Sequence, residues 1–245
     1  MSVVNQEERR SSWQRLPLAA VFERIVKYFG GWLAAGLLAA VLALMFFGWL
    51  ADEVFEGDTK SFDDSVRDYI HQFASPPLTA AMKFFSFIGS PPVLGVLGLS
   101  VVIAFLILKW KRALILFLIA MAGELALVFT LKGFFRRTRP ESFFDYPLPS
   151  SFSFPSGHAL GSFCFFGILA WFVTARTENK LLKGIIWIIA VSLIFAIGFS
   201  RIYLGVHFPS DVIAGYATGL FWIVVVAAGD FWLKKRTENL PVAGS

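Results

Sequence analysis

Six long blocks of apolar residues constrain the fold of this chain more than any other feature of its sequence. Bilayer hydrocarbon is about 30 Å thick, so a helix needs about 20 predominantly apolar residues to cross it. The blocks that reach or approach this length are Gly31–Ala51, Pro92–Trp110, Ala113–Leu131, His158–Thr174, Gly184–Ser200 and Val212–Leu233. We therefore predict an all-α, polytopic membrane protein with six transmembrane helices.

The composition excludes the main alternatives to a membrane protein. Hydrophobic residues make up 57% of the chain and charged residues 16%, whereas a soluble domain carries about a quarter charged residues. This excludes a disordered chain and an ordinary soluble enzyme. The single cysteine, Cys164, cannot form an intrachain disulfide, which excludes a disulfide-stapled secreted scaffold.

The basic residues predict how the spans are oriented. The chain has 22 Lys and Arg against 17 Asp and Glu, and in a membrane protein such an excess is first a topology signal. Most of these basic residues lie on one side when the N-terminus is placed in the cytoplasm, so the positive-inside rule predicts that both termini are cytoplasmic. We expect the lipid bilayer to be a partner and nucleic acid not to be one; the oligomeric state stays open.

The spans divide the chain into three parts. Residues 1–30 are predicted to be a cytoplasmic N-terminal segment, because apolar residues recur at helical spacing between Leu18 and Phe29. Residues 31–233 form the six-helix membrane domain, and residues 234–245 form a cytoplasmic tail. Within the domain, residues 52–90 are predicted to form an exterior loop that is rich in acidic residues. Apolar residues recur at helical spacing in part of this loop and predict an amphipathic helix there.

Three exterior segments concentrate basic residues and histidine. Under the predicted topology, Lys132–Pro140 ends the third span, Pro155–His158 opens the fourth, and Ser200–Asp211 joins the fifth to the sixth. All three lie at one level of the membrane, on the side where the positive-inside rule disfavours basic residues. A functional site explains this coincidence.

The charges in these segments point to an anionic ligand. Lys132, Arg139 and Arg201 supply fixed positive charge, and arginine forks match phosphate oxygens. Ser156 is a suitable N-cap, and Gly157 lets the backbone approach a ligand closely. The N-terminus of the helix that follows is then a seat for an anion. We expect the site to bind phosphate or a similar oxyanion.

Two histidines and a carboxylate add reactivity to this anion site. His207 and Asp211 are four residues apart, so one helical turn places them on one face. The carboxylate can hold one imidazole nitrogen protonated and leave the other as a nucleophile. The cationic cluster lowers the pKa of His207 and Asp211 raises it, and the sequence leaves open which dominates. His158 is placed to protonate a leaving oxygen.

In their order and spacing, the three segments resemble the signature motifs of the type-2 phosphatidic acid phosphatase family, the lipid phosphate phosphatases. Lys132, six residues and then Arg139-Pro140 match the first motif. Pro155-Ser156-Gly157-His158 matches the second. The third is matched by Ser200, Arg201, His207 and Asp211. No motif position departs from the family pattern.

The resemblance implies a hydrolase that uses neither a metal nor a cofactor and works through a phosphohistidine intermediate. It implies that His207 attacks phosphorus, Asp211 orients it and His158 protonates the leaving group. The residues that it implies for phosphate binding are Lys132, Arg139, Ser156, Gly157 and Arg201.

A membrane lipid with a phosphate or diphosphate headgroup is the substrate that this resemblance implies. Phosphatidic acid, phosphatidylglycerol phosphate and undecaprenyl diphosphate are the candidates. The predicted topology puts the site at the extracytoplasmic face of a cell (inner) membrane that the chain crosses several times.

Several alternatives stay open. A lipid-to-lipid phosphotransferase can use the same motifs, and a non-catalytic transporter or lipid-binding protein can use the same frame. Arg136 and Arg137 are candidates either for phosphate binding or for headgroup and solvent contacts. Glu124 lies inside the third span, where an acid is costly, so we expect it to have a hydrogen-bond partner or to face a polar cavity.

Overall fold

The computed structural model describes residues 31–238, and in this range the secondary structure is entirely helical. The helices, in chain order, are α1 (Gly31–Glu56), α2 (Lys60–His71), α3 (Pro76–Ile88), α4 (Pro91–Ile107), α5 (Lys111–Phe135), α6 (Gly157–Thr174), α7 (Lys180–Tyr203) and α8 (Pro209–Glu238). The predicted amphipathic segment, residues 1–30, and the end of the predicted tail, residues 239–245, lie outside the described residues.

The helices confirm the predicted fold class and give five or six candidate spans. Five helices, α1, α5, α6, α7 and α8, are long and apolar enough to cross a bilayer. Helices α3 and α4 meet at a bend of 52° and provide a sixth span when they are taken together. The fifth span is longer than the predicted Gly184–Ser200, because α7 also includes residues 180–183 at its start and residues 201–203 at its end, 24 residues in all. Long lysine side chains can carry their charge out to water from such a helix end.

The chain divides into two units, residues 1–38 and residues 39–245. In the first unit the structure describes residues 31–38, which form the opening turns of α1. The second unit contains the remainder of α1, all the other helices and every predicted site residue.

Helix α6 is the centre of the second unit. It packs against α5, α7 and α8, and most of its side chains are buried, including the fully buried Cys164. A helix that is apolar on all sides is stable only inside a larger structure or in lipid. Aromatic rings fix it to its neighbours; Phe165, for example, meets Phe117 of α5 edge-on, with 5.8 Å between ring centroids. The first turn of α6 is therefore surrounded by the ends of other helices.

Two polar contacts hold α8 beside α5 and α7. The indole N–H of Trp222 donates to the Ala120 carbonyl at 2.9 Å, and the Tyr216 hydroxyl donates to the Ile194 carbonyl at 2.9 Å. The second contact needs a glycine, because a Cβ at Gly198 would lie 1.8 Å from the Tyr216 oxygen. These contacts fix the position of α8 relative to α5 and α7.

Candidate active site

The three motif segments meet at one end of the helices. Lys132 lies in the last turn of α5, His158 in the first turn of α6 and Arg201 in the last turn of α7. Helix α8 begins just after His207 and carries Asp211 in its first turn. His158 interacts electrostatically with Lys132, Arg139, Arg201 and His207. The structure thus brings both histidines and the predicted cations into one cluster.

His207 and Asp211 form a buried pair. His207 Nδ1 lies 3.2 Å from Asp211 Oδ2, and the side chains are 1% and 0% exposed. The prediction placed both residues on one helical turn, but His207 lies before the start of α8 and only Asp211 lies in the helix. Asp211 reaches back from the first turn and also accepts the backbone N–H of Phe208 at 2.9 Å. The carboxylate therefore caps its own helix while it contacts the imidazole.

The contacts of His207 fix the tautomer of its ring. Nε2 lies 2.9 Å from NH1 of Arg139, and a guanidinium can only donate. Nε2 is therefore the acceptor, and the proton of the neutral ring lies on Nδ1, facing Asp211. Burial lowers the pKa of His207 to about 3, although its hydrogen bond to Asp211 acts in the opposite direction. The imidazole is neutral at physiological pH, with the lone pair of Nε2 facing the cationic cluster.

Arg139 is held by backbone groups as well as by His207. Its guanidinium donates to the carbonyls of Val206 and Ser151, each at 2.8 Å. Burial, followed by the charge of Arg201, lowers the pKa of Arg139 to about 10, so it stays protonated at neutral pH. This places a fixed positive charge directly beside Nε2 of His207.

Lys132 and Arg201 complete the cationic side of the site, and both are buried. Lys132 donates to the carbonyl oxygens of Phe152 and Ser153. Arg201 donates through NH1 to the hydroxyl of Ser86. Its Nε is buried and has no hydrogen-bond partner among the described residues. A buried N–H of this kind is costly unless something accepts from it, which makes Arg201 suited to an anionic ligand.

The start of α6 supplies the remaining predicted residues. Ser156 is the N-cap, as predicted, and its hydroxyl accepts the N–H of Ala159 at 3.4 Å. A Cβ at Gly157 would lie 3.9 Å from Lys132 Cε, so the backbone of this turn is close to the lysine side chain. His158 is half-buried and forms no hydrogen bond with the described residues.

A comparison with known protein families finds a match over the part of the chain that carries the motifs. The family model described as the PAP2 superfamily matches residues 113–235, which contain all three motifs. This chain belongs to the PAP2 superfamily. The family resemblance predicted from the motifs is confirmed.

Known phosphatases resemble the chain over half of its length or more. Phosphatidylglycerophosphatase B of Bacillus subtilis is 29% identical over 202 residues, which cover 81% of this chain and 98% of that protein. Lipid A 1-phosphatase of Rhizobium johnstonii is 33% identical over 131 residues, about half of each chain (50% and 49%). The crystal structure of a transmembrane PAP2-type phosphatidylglycerolphosphate phosphatase from Bacillus subtilis superposes with a TM-score of 0.74 at 28% identity, covering 80% of this chain and 98% of that one. The predicted all-helical membrane fold of this PAP2 protein is thus confirmed. The predicted enzyme class, a lipid phosphatase, is also confirmed by these relatives.

The sequence left open whether Arg137 contacts phosphate, lipid headgroups or solvent. In this PAP2 protein its guanidinium faces carboxylates: NH1 donates to Asp211 Oδ1 at 2.7 Å and NH2 donates to Asp63 Oδ2 at 2.8 Å. Arg137 therefore forms ion pairs inside the protein, with Asp63 of α2 and with Asp211 of the third motif. Arg136 differs, since its Nε donates only to the nearby carbonyl of Gly133, at 3.0 Å, and it lies at the exposed end of α5.

Two further residues of the site were not predicted. The Ser153 hydroxyl donates to Asp211 Oδ2 and lies 3.4 Å from His207 Nδ1. Arg67 of α2 donates to the Glu141 carbonyl at 2.8 Å and stacks over the ring of Phe143. Arg67 thus ties α2 to the loop that follows the first motif. The sequence did contain a signal for Arg67. It follows Asp63 by four residues on an amphipathic helix, so the two charged side chains lie on the same helix face.

Glu124 has an environment that the sequence left open. It is 5% exposed in the middle of α5, and a Cβ at Gly161 of α6 would lie 3.2 Å from its Oε1. The expected hydrogen bond to a neighbouring helix is not found among the described residues. Glu124 is therefore a buried carboxyl packed against the backbone of α6.

No group of three or more His, Cys, Asp or Glu side chains in residues 31–238 is arranged to hold a metal ion. The predicted independence from metals stays a prediction, because it concerns the reaction.

Proposed function

We propose that this PAP2 protein hydrolyses the terminal phosphate of a membrane lipid phosphate or polyprenyl diphosphate through a phosphohistidine intermediate. The observation that carries the proposal is the position of His207 between Asp211 and Arg139. Asp211 holds Nδ1 at 3.2 Å, and Arg139 lies 2.9 Å from Nε2. A neutral imidazole with its lone pair directed into a cationic cluster is arranged to attack phosphorus.

In the first step, Nε2 of His207 forms a bond to phosphorus while the bond from phosphorus to the leaving oxygen breaks. Asp211 stabilises the positive charge that develops on the imidazole. A protonated His158 gives its proton to the departing alkoxide or phosphate. The products of this step are the dephosphorylated lipid, phosphohistidine and a neutral His158.

In the second step, water attacks the phosphorus of phosphohistidine. His158 now acts as a base and takes a proton from the water, and the Nε2–phosphorus bond breaks. Inorganic phosphate leaves, and both histidines return to their starting states. The same residue thus serves as acid and then as base, as a two-step hydrolysis requires.

The cations and the α6 N-terminus stabilise the phosphoryl group in both steps. Arg139 can move its N–H groups from Nε2 to phosphoryl oxygens, and Arg201 offers a buried Nε that lacks a partner among the described residues. Lys132 adds charge beside Gly157, where the first N–H groups of a helix face outward. Charge stabilisation and positioning are the main means of catalysis in phosphoryl transfer.

The site's position supports a substrate whose tail stays in the bilayer. The reactive residues lie at the ends of helices that are apolar enough to span a membrane, so a headgroup can reach them from the lipid. We propose the extracytoplasmic face of the cell (inner) membrane, with cytoplasmic termini. The positive-inside distribution supports this orientation. The candidates are phosphatidic acid, phosphatidylglycerol phosphate and undecaprenyl diphosphate, and the resemblance to phosphatidylglycerophosphatase B favours testing the second first.

A phosphate-release panel tests the function. Purified protein in detergent is given each candidate lipid in the presence of EDTA and without any acceptor lipid. We expect phosphate release from at least one lipid, and its loss in His207→Asn. Strict dependence on a divalent metal, or full activity of His207→Asn, contradicts the mechanism. Phosphate transfer that occurs only when an acceptor lipid is added identifies a phosphotransferase instead.

A further inference from the structure

An acidic side chain from outside the motif segments is buried beside the site. Helix α2 is amphipathic, yet two of its charged side chains face the protein: Asp63 is 0% and Arg67 8% exposed, whereas the apolar Phe62 is 51% exposed. Burial of a carboxylate is costly unless it is paired and hydrogen-bonded. The contacts of Asp63 therefore indicate what it does.

Both oxygens of Asp63 are used, and all of their partners adjoin Asp211. Oδ1 accepts the backbone N–H of Ser210 at 2.9 Å. Oδ2 accepts the Ser210 hydroxyl at 2.7 Å and NH2 of Arg137 at 2.8 Å. Ser210 precedes Asp211 in the chain, and Arg137 donates to Asp211 Oδ1. Asp63 thus holds Asp211 from two sides, through the backbone and through an arginine.

We propose that Asp63 is a positioning residue for phosphoryl transfer, acting through Arg137 and Ser210 on the Asp211 carboxylate and so on His207. The inference rests on the proposed function of His207 as the nucleophile. The hydrogen bonds of Asp63 go to Ser210 and Arg137 and to none of the five residues that the resemblance implies for phosphate binding, so its effect falls on the geometry of the nucleophile.

Charge gives Asp63 a second effect on the same pair. Arg137 lies between two buried carboxylates, Asp63 and Asp211, and its positive charge is shared between them. Without the charge of Asp63, Arg137 pairs with Asp211 alone. The carboxylate then has less negative charge available to stabilise the cation that develops on His207.

The direct test compares Asp63→Asn with Asp64→Asn. Asp64 is the matched control, because it follows Asp63 on α2 but is partly exposed, pairing with Lys60 at 2.8 Å and with Arg67 only at 3.8 Å, and it contacts neither Arg137 nor Ser210. Misplacement of a reacting group by about 1 Å can cost 10²-fold in rate. We expect Asp63→Asn to lower kcat about 10- to 100-fold with KM changed less than about twofold. Equal kcat values for the two variants overturn the proposal.

A double-mutant cycle separates positioning from general stability. If Asp63 acts through Arg137, then Asp63→Asn lowers kcat much less in an Arg137→Gln background than in the wild type. Full additivity of the two losses contradicts action through Arg137. If Asp63→Asn does not fold, Ser210→Ala takes its place, since it removes the hydroxyl that donates to Asp63 and accepts from Arg137 but leaves both charges. We then expect a kcat about 3- to 10-fold lower at unchanged KM, and an unchanged kcat overturns the proposal.

Inhibition by orthovanadate and by inorganic phosphate provides a readout that folding alone does not move. Vanadate becomes five-coordinate with Nε2 of His207 as a ligand, and it then resembles the transition state of phosphoryl transfer. Inorganic phosphate instead binds as the product, in its ground state, at the phosphate-binding residues. We expect Asp63→Asn to weaken vanadate inhibition about tenfold or more and phosphate inhibition less than about twofold. Equal weakening of both contradicts the proposal. A wild type that neither releases phosphate nor responds to vanadate overturns the proposed function itself.

Discussion

NH1 of Arg139 lies 2.9 Å from Nε2 of His207, the nitrogen that we propose attacks phosphorus. Before substrate binds, the lone pair of the nucleophile accepts a hydrogen bond from the same arginine that is predicted to hold the phosphate. A phosphoryl group that enters the site competes for these N–H groups and frees Nε2. Substrate binding and activation of the nucleophile are therefore coupled through Arg139.

Replacement of Arg139 by lysine tests this coupling. Lysine keeps the charge but loses the planar fork, so it cannot hold two oxygens and then release Nε2 in the same way. We expect kcat/KM for Arg139→Lys to fall about 10²- to 10³-fold. Arg136→Ala is the control, because Arg136 contacts only the Gly133 carbonyl, and we expect it to stay within about twofold of wild type. Similar kcat/KM values for these two variants would contradict the role of Arg139.

The buried neutral state of His207 predicts a pH dependence of stability. Its folded pKa, about 3, lies below the ordinary value of 6.5, so between these values the unfolded chain binds a proton that the folded chain does not. Stability therefore falls as the pH decreases from 6.5 toward 3, by up to about 1.4 kcal/mol per pH unit from this group. Thermal unfolding in detergent measures it, and His207→Gln removes this contribution. A wild type and variant whose Tm values change in parallel between pH 6.5 and 4 would contradict the neutral assignment.

His158 is expected to matter in proportion to how poor the leaving group is. General-acid catalysis contributes typically 10²- to 10⁴-fold when the leaving oxygen needs a proton. We expect His158→Ala to lose this factor on an alkyl phosphate and much less on p-nitrophenyl phosphate, whose leaving group is stable without protonation. Inhibition by inorganic phosphate, as a measure of binding, should change little. Equal losses on both substrates would assign His158 to binding instead of proton transfer.

The sequence predicted the spans and the motif residues because the bilayer makes both conspicuous. A span needs about 20 apolar residues, and Lys132, Arg201 and His207 stand out because polar groups are expensive beside such spans. The local geometry at Ser156 was also predictable, since an N-cap depends on neighbouring residues alone.

The sequence could not separate Asp63 from Asp64. The two acids are adjacent and carry the same charge, and only the packing of α2 against α7 and α8 buries one and leaves the other partly exposed. The role of Arg137 depends on that packing too, because the acid that it meets lies 74 residues away. Contacts of this range are set by the tertiary fold and leave no local pattern.

Glu124 is predicted to lower stability without serving the reaction. Its side chain is 5% exposed in α5 and forms no hydrogen bond with the described residues, and burial of a polar group without a hydrogen bond costs up to about 3 kcal/mol in proteins. Methionine has a similar length and no such cost, so we expect Glu124→Met to raise Tm and to retain activity. A normal Tm with strongly reduced turnover of long-chain lipids, but not of a short-chain phosphate, would show instead that the carboxyl contacts the substrate.

Gly205 is predicted to be required for the third motif to reach the loop after the first. Its φ is +76°, and a Cβ there would lie 2.6 Å from the backbone nitrogen of Phe143, which donates to the Leu204 carbonyl at 2.9 Å. Both the conformation and the contact oppose a side chain, so we expect Gly205→Ala to cost about 1–3 kcal/mol of stability and to lower activity.

Thermal unfolding and phosphate release measure these losses, with Gly167→Ala as the control. Gly167 lies inside α6, where nothing lies within 4 Å of the added methyl group, and alanine favours a helix by about 1 kcal/mol over glycine. The two substitutions add the same atoms and should change Tm in opposite directions. A Gly205→Ala protein as stable and active as the wild type would show that the loop between α7 and α8 can move away from Phe143 without disturbing His207.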